Sequence, residues 1–425
     1  MKFYIHTLGC KVNSYESKVM KDILINNNYK QAETDKNNDI IIINTCSVTN
    51  EADNKSVKVI KKSIRDNENA IIIVTGCFSQ KDEEFVSSIP GVSIVLGNKN
   101  KTKIIDYINE YIENNIKKSV VEDISQIEFE SMMLNNFDKT RAFVKIQDGC
   151  NNFCTFCIIP YTRGGCRSKK KEDAINEVKT LIKNGHKEIV LTGIHTGNYG
   201  AEFDNYDFAD LLNDILKIDG LKRLRISSIE VNEINDRVLN LIKNNKILVD
   251  HMHIPLQSGS DKILKLMNRK YNKNEFLDKI KNLRNIRKDI SITTDIITGF
   301  PNETEEDFKE MVEFIKKINF TKLHVFPYSR REGTKADLFK NQIDDKIKKD
   351  RVKILLNLSK ELENNYMNKY INKEVIFIPE VYKDGFIKGH TGNYLSIKTK
   401  GTKEDINKEV KVKIIKNEYP YLIGK

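Results

Sequence analysis

The sequence predicts an α/β chain in three parts: an N-terminal parallel-sheet α/β domain, a central partial TIM-like (βα)6 barrel and a small C-terminal all-β barrel. Three observations carry that prediction. Short apolar runs alternate with amphipathic helical patterns over the first hundred residues, which implies a parallel sheet covered by helices. A second series of six such units begins at Ala142. From Asn368 onward the pattern changes to β-rich runs separated by Gly and Asn turn signals. The expected boundaries are 1–118, 136–367 and 368–425, in keeping with a 425-residue chain too long for one core of ordinary size.

In the first part, Phe3–Thr7, Ile40–Asn44 and Ala70–Thr75 read as strands. Helices are expected over Tyr15–Asn26, with Val19, Ile23 and Leu24 on one side, and over Asn54–Arg65 and Lys103–Ile112. A polar, acidic passage near Ser119–Asp138 reads as a connecting segment. The second part has expected strands at Ala142–Gln147, Glu188–Thr192, Arg223–Ser227, His251–Pro255, Ser291–Ile297 and Lys322–Phe326. Helical patterns separate them, among them Lys171–Lys183, Phe208–Leu216, Glu233–Lys243 and Glu305–Lys316. By analogy with full barrels, the chemistry belongs at the C-terminal ends of these strands. In the third part, Glu374–Ile378, Tyr394–Thr399 and Val410–Ile415 read as strands.

The formal net charge of +11 favours a polyanionic partner without identifying one. From Asn368 to the C-terminus there are 12 Lys, no Arg and 7 Asp or Glu, so the tail is basic too. No stretch approaches the roughly 20 apolar residues needed to span a bilayer. The first residues carry no signal-peptide pattern, so no membrane association and a cytoplasmic location are expected. In that compartment cysteines bind metal or react more often than they cross-link, and seven of them do not make a purely disulfide framework.

Three cysteines form the sequence Asp148-Gly149-Cys150-Asn-Asn-Phe-Cys154-Thr-Phe-Cys157, directly after an apolar strand. Three thiolates in one loop can hold three irons of a 4Fe–4S cube and leave the fourth open. A zinc site is the rival, but a closed structural zinc wants four ligands, and Cys166 stands at no usual zinc spacing. Cys10, Cys46 and Cys77 each follow an expected strand. The carboxyl ends of parallel strands lie on one edge, where ligands bind, so these three are expected to converge. The alternative is three small structural thiols that happen to end strands.

The C-x3-C-x2-C pattern, with Phe156 before its last cysteine, resembles the signature of radical S-adenosylmethionine enzymes. The whole chain is similar to the methylthiotransferases of that group. The resemblance implies two 4Fe–4S clusters, one on Cys150, Cys154 and Cys157 and one on Cys10, Cys46 and Cys77, together with S-adenosylmethionine. It also implies a TRAM-like C-terminal domain that binds RNA. The motifs Thr7-Leu-Gly-Cys10-Lys-Val-Asn13 and Leu191-Thr-Gly-Ile-His-Thr-Gly197 resemble the branch that acts on threonylcarbamoyladenosine in tRNA. The implied activity is methylthiolation of C2 of that nucleoside at position 37 in the anticodon loop. S-adenosylmethionine would serve as methyl donor and radical source, with an electron donor such as flavodoxin or ferredoxin. Sister branches act on isopentenyladenosine in tRNA or on a ribosomal-protein aspartate, and both remain alternatives. So does a non-catalytic RNA-binding iron–sulfur redox sensor. Cys166 departs from the family pattern and reads as a spare loop thiol.

The resemblance makes Phe156 a contact for the cofactor's adenine. The expected cofactor pocket adds Thr192 and Gly193 after the second barrel strand, Ser228 and Glu230 after the third, and Gln257 with Ser258 after the fourth. Thr298-Gly-Phe-Pro301 follows the fifth in the same way. Turn and cap roles are the alternative for each. His195 and His253 are assigned no catalytic role, since radical hydrogen abstraction needs no base for its first step, and no other residue is given one. Tyr394 and Phe386 are candidates for base stacking, with burial in the small core as the alternative.

Overall fold

In the computed structural model, residues 1–124 and 128–425 are described. Part of the expected connector over Ser119–Asp138, residues 125–127, lies outside the described residues. The first sheet contains β1 (Lys2–Thr7), β2 (Lys30–Gln31), β3 (Ile40–Thr45), β4 (Ile71–Gly76), β5 (Ile94–Leu96) and β6 (Lys118–Val120). All its pairings are parallel, in the order β2-β1-β3-β4-β5-β6. Every residue of β3 and β4 is buried, as befits central strands covered on both faces.

The helix Lys11–Asn26 starts four residues before its expected beginning, directly after Cys10. Cys10 makes no side-chain cap and the first turn has no acidic residue, so the usual start signals are missing. Its buried set runs almost all round, from Val12, Asn13, Tyr15 and Glu16 to Met20 and Leu24. The reason is that this helix is covered on two sides. Met20 and Leu24 join the core of the first sheet, while Tyr15 and Val19 join the core of the barrel.

The barrel strands are β7 (Arg141–Lys145), β10 (Glu188–Thr192), β11 (Arg223–Ile226), β12 (His251–His253), β13 (Ser291–Thr298) and β14 (Lys322–Pro327). Between the first two lies a small antiparallel pair, β8 (Gln147–Asp148) with β9 (Arg167–Ser168). The strands form two parallel groups, β7-β10-β11 and β12-β13-β14, which meet where Leu224 bridges Leu248. The two edge strands, β7 and β14, do not pair, so the barrel is open along one side. The 24-residue helix Asp345–Asn368 follows β14 and leads into the tail. There β15 (Glu374–Lys383), β16 (Phe386–Thr391), β17 (Ser396–Lys400), β18 (Val410–Glu418) and β19 (Tyr421–Gly424) close into a barrel. No helix among the described residues is long and apolar enough to cross a membrane.

Candidate iron–sulfur and substrate site

Cys10, Cys46 and Cys77 follow β1, β3 and β4, which are adjacent in the sheet and end in line, Thr7 opposite Asn44 and Thr45 opposite Gly76. The chain leaves β1 toward β2 on one side and returns to β3 on the other. The three cysteines therefore surround the point where strand order reverses, the place where open parallel sheets bind ligands. Gly9 and Gly76 both adopt left-handed φ values, +93° and +104°. A Cβ on Gly9 would press on Cys46, and one on Gly76 would press on the Thr45 backbone, so side chains there would push the trio apart.

Desolvation by the surrounding protein raises the thiol pKa of Cys10, although that residue opens onto a cavity, and takes that of Cys46 up to about 11. The neighbouring cysteines add to both shifts. Cys77 is steadied by two donors, Arg163 Nε at 3.3 Å and Asn98 Nδ2 at 3.5 Å. In the other trio, burial raises Cys154 and takes Cys157 up to about 12. Arg269 donates to Cys154 Sγ at 3.2 Å and is ion-paired with Glu230. The loop carrying this trio is strapped down. Thr155 N and Oγ1 donate to the carbonyls of Met267 and Leu266, and Asn268 Nδ2 donates to those of Asn152 and Phe153.

Both trios offer only thiols, the donors that iron–sulfur clusters and zinc select. Among the described residues, no three His, Cys, Asp or Glu side chains close on a single metal-ion position. Thiolates on a cube each bind a different iron, and three thiols per trio are the donors such a cluster takes. Cys166 stays outside both trios; its Sγ lies 3.8 Å from His195 Nδ1 and 3.8 Å from the Gly149 carbonyl. Burial opposes protonation of His195, but Cys150, Cys166 and Glu233 together push its pKa up to about 12.

Arg163, fully buried, links the first trio to the base of the loop that carries the second. Besides Cys77, it reaches Asp148 (3.1 Å), two residues before Cys150, and also Glu16 (3.0 Å) and Asn13 (2.7 Å). Glu16 also takes Lys101 and Lys145. Burial alone would raise the Glu16 carboxyl, but Arg163, Lys101 and Lys145 hold it well below the usual carboxylate range. Lys145, Arg163 and Arg167 do the same for Asp148 against its burial. A second buried arginine, Arg331, crosses the same junction to Ser47 O (2.8 Å) and Asp53 (2.9 Å).

A cavity of about 810 Å³ runs from Cys10, Cys46 and Cys77 along the barrel's open interior to the tail. Thr192, Gly193 and Ser228 line it. Gly193 also makes room for Gln147, whose side chain ties the cluster loop to His195 N. Glu230 faces a separate pocket of about 200 Å³ shared with Cys154, His195 and Arg269. Phe156 packs edge-on against Phe300 in a small aromatic group with Tyr328. Gln257 lines neither space; it has φ +67° and its backbone pairs with Asp295 and Ile297. Ser258 accepts from Ser260 N, and Thr298 and Gly299 donate to Glu303, which are turn roles. His253 Nε2 lies 3.1 Å from the Asp295 carboxylate. Tyr394 has Arg225 over its ring at 4.4 Å and His251 at 4.7 Å, and Phe386 carries Lys398 at 4.7 Å.

Residues 144–315 match the Radical SAM superfamily, and residues 2–97 match the family described as uncharacterized protein family UPF0004. The chain is 43% identical to the threonylcarbamoyladenosine tRNA methylthiotransferase MtaB of Bacillus subtilis, over 99% of this chain and 95% of that one. Identity is 37% to the same-named protein of Aquifex aeolicus, over 97% and 100%. It is 36% to the tRNA-2-methylthio-N(6)-dimethylallyladenosine synthase of Clostridium tetani, over 97% and 94%. Among solved structures, the radical S-adenosylmethionine methyltransferase TsrM of Kitasatospora setae aligns with a TM-score of 0.58 at 12% identity, over 79% of this chain and 76% of that one, a likeness of fold.

Proposed function

This chain belongs to the radical-SAM tRNA methylthiotransferases, and from that premise we propose that it methylthiolates C2 of N6-threonylcarbamoyladenosine at position 37 of tRNA. In this reading Cys150, Cys154 and Cys157 hold the radical-generating 4Fe–4S cluster, and Cys10, Cys46 and Cys77 hold a second. Bound there, the clusters and S-adenosylmethionine supply the electron, the radical and the methylthio group. The observation that carries the reading is the pair of all-thiol trios, one lining the main cavity, with a buried arginine running from its Cys77 to Asp148 at the base of the other trio's loop.

The protein's own groups hold this arrangement in place. Arg163 and Asn98 donate to Cys77, and Arg269 donates to Cys154, so each trio has a fixed hydrogen-bond donor at a sulfur. Such donors orient a ligand and tune the metal behind it. Glu230 keeps Arg269 in position, and the imidazolium of His195, paired with Glu233, lies against the cluster loop. Thr192, Gly193 and Ser228 offer small polar wall where a cofactor must pass closely. The tail completes the cavity with His390, Tyr394 and Ser396.

Anaerobically reconstituted protein is expected to carry about eight irons per chain. The triple variant Cys10→Ala, Cys46→Ala, Cys77→Ala should keep about four, still release 5′-deoxyadenosine under reduction, and form no methylthiolated nucleoside by mass spectrometry. Methylthiolation surviving in that variant sinks the second-cluster assignment. A deletion strain whose tRNA keeps its methylthiolated threonylcarbamoyladenosine sinks the substrate.

A further inference from the structure

Lys11 is the first residue of the helix that begins after Cys10, and its side chain lines the large cavity beside that cysteine. Among the described residues it forms no ion pair and donates no hydrogen bond. The other charges on this wall are already engaged. Arg225 pairs with Glu188 and donates to the carbonyls of Gly392 and Thr391. Asp295 lies beside His253, Lys322 pairs with Glu363, and Arg163 with Glu16 and Asp148. The wall carries four cations, Lys11, Arg163, Arg225 and Lys322, against two carboxylates, Asp295 and Glu363. Of the charged groups whose fields reach the Lys11 ammonium, Arg141 and Arg225 repel it, and Cys10 and Asp295 attract it.

Lys11 meets solvent through the mouth of this cavity. A ligand that fills the space strips that water away, and an ammonium so enclosed is costly unless the ligand itself supplies a counter-ion. The missing partner is a small anion that enters with the substrate, next to the cluster trio. A cavity of this volume takes a ligand the size of a modified nucleoside. On the substrate reading given above, the modified base carries one such anion, the carboxylate of its threonyl group; a dimethylallyl group carries none. We infer that Lys11 binds the threonyl carboxylate of the substrate nucleoside and so selects threonylcarbamoyladenosine over apolar modifications at the same position. Asp295 attracts Lys11 but forms no ion pair with it among the described residues; its carboxylate lies 3.1 Å from His253 Nε2.

The test compares two anticodon stem-loop RNAs, one with threonylcarbamoyladenosine and one with its methyl ester, on anaerobically reconstituted full-length enzyme. Affinity is read by fluorescence anisotropy without reductant, and kcat and KM under reduction. The wild type should prefer the acid by about 10- to 100-fold in affinity and KM, the range of a hydrogen bond between charged groups. Lys11→Met should bring the acid-to-ester ratio close to one at wild-type iron content, and Lys11→Arg should restore part of it. A Lys11→Met enzyme that keeps the wild-type ratio overturns the inference. So does one whose KM rises for S-adenosylmethionine instead, which would assign Lys11 to the cofactor. If the wild type modifies neither RNA, the substrate reading falls, and the inference with it.

Discussion

Glu16 shows how much one buried carboxylate can organise. It has no solvent exposure and gathers Arg163, Lys101 and Lys145 from three segments of the chain. Replacing it by Gln leaves three buried cations short of a partner, and loss of one member of a buried pair costs about 3–5 kcal/mol. The expected result is a lower urea midpoint at neutral pH. The acid dependence has a definite sign. Because the folded-state pKa of Glu16 is depressed, its contribution is complete above the unfolded carboxylate value of about 4.3 and is lost as pH falls through that value toward the folded one. The difference in midpoint between wild type and Glu16→Gln should therefore shrink below about pH 4. A difference that stays constant down to about pH 2.5 would show that Glu16 is not the titrating group. None of this is legible in the sequence, where Glu16 and Arg163 look like any charged residue on a helix or loop. Arg163 stands in a segment with its own motif, Pro160-Tyr-Thr-Arg-Gly, yet nothing local says that it reaches Cys77 across the junction. The six cysteines differ because their spacing and their places after strands are written in the chain itself.

At the level of elements, the loop carrying Cys150, Cys154 and Cys157 is tightly constrained. Gly149 has φ +72°, and a Cβ there would collide with the carbonyl of Gly165. Gly149→Ala should displace the loop while leaving the first sheet folded. Iron should fall from about eight to about four per chain, with production of 5′-deoxyadenosine abolished. Full iron in that variant would refute the expectation. The strong strands are legible because β3, β4 and β10 carry apolar runs with clear ends. The strands β2, β5 and β6 are not: two or three residues make no period, and they pair only because the sheet has an edge to extend. The tail has five strands where its pattern predicts three, since the turns at Asp384–Gly385 and Tyr419–Pro420 divide runs that alternate weakly. The first helix hides its second buried face for a related reason. Its amphipathic pattern records the sheet, while Tyr15 and Glu16 answer to a barrel that begins more than a hundred residues later.

In the molecule as a whole, the tail is fastened to the barrel through Arg141 to Glu380, Arg223 to the carbonyls of His390 and Ile376, and Arg225 to that of Gly392. This junction uses the Tyr394 ring, which takes Arg225 and Arg141 on its faces, so that residue serves the junction before any RNA base. The exposed lysines Lys400, Lys403, Lys408 and Lys413 lie elsewhere on the tail. If they meet tRNA phosphates, replacing all four by Gln should weaken binding and flatten the plot of log affinity against log salt by about 0.7–0.9 for each phosphate no longer neutralised. An unchanged slope would move the RNA-binding surface to another face. The walls of the main cavity come from all three bodies: Cys10 and Lys11, Arg225 and His251, His390 and Tyr394. An anticodon loop seated there would rest on each of them like a keystone in an arch. Filling the hollow would lock parts that otherwise melt apart, so the loaded enzyme should unfold at a higher temperature and in fewer steps than the empty one.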